Sequence, residues 1–499
     1  MTSMQSLPQT PPPLIRLGCA NQSVSKSSFC PKDATNTCSG CRLVRYCSKE
    51  CQVMHWTSHK HDCKNQLNSK SWSPVWLRER RIPKFIHIDS DKDTSRPGQS
   101  LFGMDMSLWG SMEAIDIINA ENNEVSGDLR NVVRTINQLP EDYTGTTEIV
   151  LNDFNPIVVC RNLMILSILG TIGDVEEAAE HALHLWYSAF QPWSYETHIL
   201  PHLRESDTLA NLNGSPVQLT SSTTMLAFEE WRLTGLVKPF GATSAHMTIA
   251  NQWLFTPDRR LILDDSANLL KGWNLDEMFT AGMAHGTTED DLMGCLFFYV
   301  KDQLVEFSKR LRRFKIKIYS FDQDPTDLPE TLESRASLPQ NFDRVEVSNL
   351  VDIGIVILAV WGPLLNKANP HAAIIGLFMN WTMSREAGNA LSSETATSLA
   401  MQRMAACPYA TLPSPDPFPG TTMDWPFECH LMDEEEVAIA REGGLRHRRR
   451  CFAKLGAAPK ELPYIDSPER WYRVASLSGR TFCERYAEWA RAAAVTTWW

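Results

Sequence analysis

The chain has 499 residues, 43% of them hydrophobic and 21% charged, the balance of a folded globular protein with room for more than one domain. A formal net charge of −11 excludes a chain that coats nucleic acid along its length. No apolar run reaches the roughly 18 residues needed to span a bilayer, and the N-terminus has neither the apolar core of a secretory signal nor the amphipathic helix of a transit peptide. The expectation is a cytoplasmic or nuclear protein, neither secreted nor transmembrane, whose thirteen cysteines stay reduced and build no disulfide framework.

In chain order, residues 1–15 read as a disordered, Pro-containing tail, and residues 16–70 hold the densest chemistry. Seven of the thirteen cysteines lie between positions 19 and 63. The stretch CSGCRLVRYCSKECQVMHWTSHKHDC, residues 38–63, carries five of them with three histidines. Adding the upstream Cys19 and Cys30 gives eight candidate ligands: Cys19, Cys30, Cys38, Cys41, Cys47, Cys51, His59 and Cys63. Thiolates and imidazoles suit zinc, a borderline-soft ion, and two closed tetrahedral sites need eight such donors. Cys38 and Cys41 are two residues apart, so one tight turn aims both sulfurs at a single ion. Cys47 and Cys51, like His59 and Cys63, are four apart and share a face wherever the chain is helical. Closed sites leave no position for water or substrate, so the zinc is expected to be structural.

The order of these pairs resembles the MYND-type zinc finger, and the likeness extends to Tyr46, Gln52, Trp56 and Lys60. One departure is the first pair: Cys19 and Cys30 are separated by ten residues of Ser-rich loop, where the family has two. The resemblance implies interleaved sites, with Cys19, Cys30, Cys47 and Cys51 around one zinc and Cys38, Cys41, His59 and Cys63 around the other. His55 and His61, which lack the family spacing, are then surface histidines. It also implies a protein-binding role, with a proline-containing peptide as one class of partner. Residues 16–70 hold nine Lys or Arg against three Asp or Glu. Seven thiolates and two zinc ions reduce that excess to about +3, with no basic stripe on one face, so nucleic acid is not the expected partner.

Residues 71–105 read as a linker with one strand near Phe85 to Ile88. Beyond it, helical and strand-like segments alternate. MEAIDIIN, DLRNVVRTINQL and PIVVCRNLMILSILGTI have helical spacing; TTEIVLND, RRFKIKIYSFD and FDRVEVSNL read as strands; GIVILAVWGPLL and HAAIIGLFMNW read as a further helix and strand. Such alternation predicts an α/β domain over residues 106–400 with a mainly parallel sheet. Residues 401–425 form a Pro-rich linker, and residues 426–499 are expected as a helical extension, with LRHRRR at 445–450 as a solvated helix end.

The segments LWGSMEAIDIIN, SGDLRNVVRTINQLPEDY and VLNDFNPIVVCRNLMIL, and later FDRVEVSNLVD and GPLLNKANPHAAIIGLFMNW, resemble a domain of unknown function. It is found behind MYND fingers in fungal proteins and in a dynein axonemal assembly factor. That resemblance implies a Rossmann-like sheet of the class I methyltransferase type. A site for S-adenosylmethionine needs a glycine-rich turn after the first strand and an acid after the second. Asp153 is the candidate acid, but the turn offers Gly127 alone and the strand before it is shortened or missing. For Asp128, Arg130 and Asp153, helix capping and turn hydrogen bonding is the preferred reading. No P-loop, HExxH, GxSxG or GxGxxG pattern occurs.

The expected architecture is thus a small cross-braced two-zinc finger, an α/β Rossmann-like (methyltransferase-like) domain and a helical C-terminal extension. The expected function is zinc-dependent protein binding, as an adaptor or regulator. The alternatives are an S-adenosylmethionine-dependent methyltransferase and a DNA-binding transcriptional regulator.

Overall fold

Ser48 begins the first helix. Its hydroxyl accepts a hydrogen bond from the Cys51 amide at 3.3 Å, satisfying one of the amides that a helix leaves open at its start. This helix, α1 (Lys49–Cys63), follows two antiparallel pairs, β1 (Gln22–Ser23) with β2 (Ser28–Phe29) and β3 (Asn36–Thr37) with β4 (Arg45–Tyr46). Strands of two residues do not hold themselves together in water, so another force must fix them. The structure is a computed structural model, and it describes residues 11–23, 28–30, 32–65, 110, 112–117, 124–126, 128–192, 222–255, 268–353, 356–379, 445–450, 477 and 485–491.

Along the chain follow β5 (Glu124–Ser126), α2 (Leu129–Gln138), β6 (Thr146–Asn152), α3 (Pro156–Thr171), α4 (Val175–Tyr187), β7 (Phe190–Pro192), α5 (Ser222–Thr234), β8 (Met247–Ala250), α6 (Leu275–Ala284) and α7 (Leu292–Arg313). Then come β9 (Lys315–Phe321), α8 (Leu328–Glu333), β10 (Arg344–Glu346), α9 (Leu350–Ile353), α10 (Val356–Trp361), β11 (Ala373–Phe378), β12 (Leu445–Arg450) and β13 (Arg485–Arg491). Side-chain caps start several helices: Asp128 on α2, Asp174 on α4 and Asn274 on α6.

The chain divides into two compact units that do not follow the boundaries expected from sequence. Met1–Glu113 groups with Met164–Lys309, and Ala114–Leu163 groups with Arg310–Trp499. The first unit holds the finger and a helical layer containing α4, α5 and α6, with the small pair β7 and β8. The second holds a seven-stranded sheet in the order β12-β13-β11-β10-β5-β6-β9. Counting only its own strands, that order is 3-2-1-4-5-7-6 from the far edge. The five strands β11, β10, β5, β6 and β9 run parallel, whereas β13 is antiparallel to both of its neighbours.

Strands covered on both faces are continuously apolar, and every residue of β11 (AIIGLF) is buried. The core around it gathers Val345, Leu358, Trp361, Ile374, Phe378 and Trp489. Gly376 permits the approach of α9, because a Cβ there would meet Val351 Cγ1 at 2.7 Å.

Two expectations need correction, and one left open is decided. The C-terminal segments are strands: β13 pairs with β11 over six positions, and β12 pairs with β13. RYAEWAR has helix-forming residues, but β11 would otherwise present an open, apolar edge, and sheet pairing outweighs that weak preference. MEAIDIIN is not a helix over its described residues 112–117. The Ile115 and Ile117 amides donate instead to Asn131 Oδ1 and Thr135 Oγ1 of α2, at 3.0 and 2.9 Å, which takes them out of any helical ladder. Finally, the strand before Asp128 is shortened but present, with β5 seated between β10 and β6. Gly127, the strand expected near Phe85 to Ile88 and the Pro-rich residues 401–425 lie outside the described residues. Among the described residues no helix is long and apolar enough to cross a membrane.

Candidate metal centre

The eight expected donors fall into two groups, Cys19, Cys30, Cys47 and Cys51 in one, Cys38, Cys41, His59 and Cys63 in the other. Within each group all ligand atoms lie within 4.8 Å of one another. In the first, Cys47 Sγ is 3.5 Å from Cys51 Sγ and 3.6 Å from Cys30 Sγ, and Cys51 Sγ is 3.9 Å from Cys30 Sγ. In the second, Cys38 Sγ and Cys63 Sγ are 3.7 Å apart, and Cys41 Sγ is 3.4 Å from His59 Nε2. These separations are far beyond a disulfide. A tetrahedral ion with Zn–S bonds of about 2.3 Å sets sulfur–sulfur edges of about 3.8 Å, so the donor sets fit zinc.

Local structure explains the convergence. Cys51, His59 and Cys63 stand eight and four residues apart on α1, so one helix serves both groups. The turn holding Cys38 and Cys41 is closed by the Arg42 amide on the Cys38 carbonyl (2.9 Å) and by the Cys38 amide on the Val44 carbonyl (2.9 Å). Arg42 takes a left-handed φ of 60° there. Gly40 is closely fitted, because a Cβ would sit 2.6 Å from Cys63 Sγ and something would have to shift. Cys19 is reached from β4, whose following residue Cys47 donates its amide to Cys19 Sγ at 3.4 Å.

Electrostatics point to a cation. The hydrogen bond with Cys41, then that with His59, brings the Cys38 thiol down to about 3, while the same pairing with Cys38, ahead of burial, drives Cys41 upward. Pairing with Cys51 pushes Cys47 up to about 12, and hydrogen bonds from Asn21 and then Cys47 lower Cys51 to about 7. Each group thus accommodates one thiolate by sharing its neighbours' protons. Ionisation of all the crowded thiols in a group requires a divalent positive charge among them. His59 is buried; His61 is exposed. His55 is half-buried and not a surface histidine; burial lowers its pKa and raises that of the Tyr46 phenol, and Tyr46 Oη lies 3.0 Å from His55 Nδ1, so that nitrogen is already occupied.

The helix that supplies these ligands also carries exposed apolar side chains. Val53 is 64% exposed, Met54 67% and Trp56 37%. Val53, Trp56, Lys60 and Lys64 recur at helical spacing on one face, with Lys64 Nζ 5.9 Å from the Trp56 ring.

In the sheet unit, Asp128 and Asp153 follow the adjacent parallel strands β5 and β6. Both are engaged in local structure. Asp128 accepts from the Arg130 amide at 2.9 Å and pairs with Arg130 Nη2 at 2.7 Å. Burial acts to raise its pKa, but Arg130, helped by Arg161, holds the carboxyl below its usual range. Asp153 Oδ1 accepts the Asn155 amide at 2.7 Å ahead of α3, and burial pushes its carboxyl up. Sequence reasoning passed over Glu346 and Ser348 at the end of β10. Glu346 is buried and takes the Ser348 amide at 2.6 Å, and Ser348 has a left-handed φ of 49°. No spacing signal marks them; only strand order brings them to the end of the sheet where Asp128 stands.

Two family profiles match the chain: the MYND finger over residues 27–63, and a domain of unknown function, DUF4470, over residues 108–191. Cys19 lies outside the finger match. Over 43 residues the chain is 42% identical to ubiquitin carboxyl-terminal hydrolase 17 of Arabidopsis thaliana, a stretch covering 8% of this chain and 6% of that protein. The shared part is the finger region alone. No solved structure matches.

Proposed function

We propose that the chain is a zinc-dependent protein-binding module, in which Cys19, Cys30, Cys47 and Cys51 hold one structural zinc and Cys38, Cys41, His59 and Cys63 hold another. The observation that carries this reading is the double use of α1, whose ligands face the metal groups while Val53, Met54 and Trp56 stand in solvent. Metal loading shapes the helix, and the helix presents an apolar strip between lysines that suits a proline-containing peptide with acidic flanks. The test is fluorescence anisotropy of the full chain with a panel of labelled proline-containing peptides. Binding is expected to disappear with a zinc chelator and in Trp56→Ala. Peptide binding that survives chelation overturns the reading.

We infer further that the sheet unit is methyltransferase-like, akin to the fungal proteins and the dynein axonemal assembly factor it resembles. Support comes from the strand order 3-2-1-4-5, that of doubly wound nucleotide-binding sheets, with the antiparallel last strand as a methyltransferase-like addition. The order reverses between β5 and β10, where such sheets bind ligands beyond their carboxyl ends. An S-adenosylmethionine enzyme is the alternative function. Because the Asp128 carboxylate already caps α2 and that of Asp153 closes a local turn, calorimetric titration with the cofactor is expected to show no saturable binding. Micromolar binding abolished by Asp153→Ala would reverse that preference. For the DNA-binding alternative, retention of the chain on DNA at low salt is expected to be absent. Retention that weakens steeply with added salt would favour it.

A further inference from the structure

A different face of the finger is covered by the chain's own helical layer. We propose that the finger is a metal-dependent brace for this layer, so that zinc loading governs the folding of α5 with the segment to Phe240 and of residues 285–302, which include the start of α7, and leaves only the outer face of α1 for a partner. This inference rests on the zinc reading above.

Three sets of contacts within the first unit carry it. The finger's apolar core is incomplete on its own: Leu43, Val44 and Tyr46, with the buried ligand cysteines, continue into Leu226 and Ala227 of α5 and into Phe240. Phe240 is held in register by its amide on Asp291 Oδ2 at 2.8 Å, and the other oxygen of this fully buried carboxyl takes the Gly294 amide at 2.9 Å.

The second set grips the turn of the Cys38 group. Arg42, next to Cys41, receives the Thr288 hydroxyl on its carbonyl at 2.7 Å, and its Nε pairs with the nearly buried carboxyl of Asp290 at 3.0 Å. Arg45 Nη1 donates to the Gly286 carbonyl at 3.5 Å.

The third set grips the strap that leads into Cys19. Leu14 donates its amide to Glu180 (2.9 Å) and accepts Lys301 Nζ on its carbonyl (3.0 Å). The Ile15 carbonyl accepts from His285 Nδ1 at 2.6 Å, and the Leu17 amide donates to the His285 carbonyl at 2.8 Å. Gly286, at φ 95°, is required beside this strap, since a Cβ would meet the Leu17 carbonyl oxygen at 2.5 Å.

Two of these contact sets thus involve residues adjacent, or nearly so, to a ligand of each metal group, and the apolar one includes the ligands themselves. A finger of this size cannot keep its shape by apolar burial, so metal loss must release the partners together and expose Leu226, Ala227 and Phe240.

Hydrogen–deuterium exchange on the full chain, with zinc content measured in parallel, tests the proposal. Removal of two zinc ions by a chelator is expected to raise exchange at residues 226–240 and 285–302 as well as 38–63, with β6 and β11 unchanged. Unaltered protection of 226–240 and 285–302 in a chelated chain whose finger has become labile overturns the brace while the zinc reading stands. Equal loss across β6 and β11 overturns it too, because the effect would then not belong to this layer. A chain that holds no zinc as purified overturns both. Arg42→Ala, which keeps every ligand, supplies a second arm. Two zinc ions retained with about tenfold faster exchange at 288–294 are expected, the worth of a charged hydrogen bond, and unchanged exchange there overturns the brace.

Discussion

The finger and the sheet are stabilised by different physics. In the finger the buried positions include the ligands themselves, Cys19, Cys38, Cys41 and His59, and the strands are two residues long. In the sheet the buried positions are Val345, Trp361, Ile374 and their neighbours, on strands covered from both sides. One region depends on a cation that neutralises crowded thiolates, the other on apolar surface withdrawn from water. Metal activity and acidity therefore act on the first, whereas cavities act on the second.

The sharpest way to break this contrast is Cys38→Ser. A structural zinc contributes on the order of 10 kcal/mol to a finger, so the variant is expected to lose finger structure and at least one zinc ion by elemental analysis. Exchange protection in β6 and β11 should persist; its loss would show that the sheet also leans on the metal. The converse change is Trp361→Ala, which removes a buried ring whose Nε1 donates to the Pro325 carbonyl at 2.9 Å. A cost of about 3–5 kcal/mol in the sheet's denaturant transition is expected, with zinc content still two.

Gly40→Ala is a smaller, finer probe. Its methyl group would crowd Cys63 Sγ, and overpacking of about 1–3 kcal/mol should lower zinc affinity roughly tenfold or more in competition with a chelator. Unchanged affinity would mean the turn relaxes freely.

The smallest effect concerns His285. Its Nδ1 meets the Ile15 carbonyl and its Nε2 meets Asp302 at 2.8 Å, two acceptors that only the doubly protonated ring can satisfy together. The ring stacks on Phe298, and Lys301 nearby is a like charge that disfavours protonation. Hydrogen bonding to Asp302, against the cost of burial, raises its pKa. Its contribution is therefore complete below the unfolded value of about 6.5 and is lost as pH rises through the higher folded value. Protection of the Leu17 amide, corrected for intrinsic exchange, should fall over that window, and His285→Gln should flatten the profile.

Legibility differed between the two regions for the same reason. Ligand chemistry is written in spacing: Cys38 and Cys41, Cys47 and Cys51, and His59 and Cys63 can each be paired from the chain alone, whereas the division of these pairs between two groups came from the family resemblance. Helix α3 and strands β6, β9 and β11 were equally readable, because their apolar runs match their periods. The C-terminal strands were not, since RYAEWAR and LRHRRR take their conformation from the edge that β11 offers. Nor was MEAIDIIN, whose backbone is fixed by Asn131 and Thr135 of a later helix.

By itself, then, the sequence marked the eight Cys and His donors that gather in two groups of four and the presence of an alternating α/β region. These depend on short spacings and local periodicity, which act within a few residues. Only the tertiary structure decided that residues 164–309 group with the finger, that Arg42 and the strap at 14–17 meet Asp290 and His285, and that Glu346 and Asp128 stand at one end of the sheet. Those outcomes depend on which surfaces remain uncovered once the local elements have formed, and no window of sequence contains both partners.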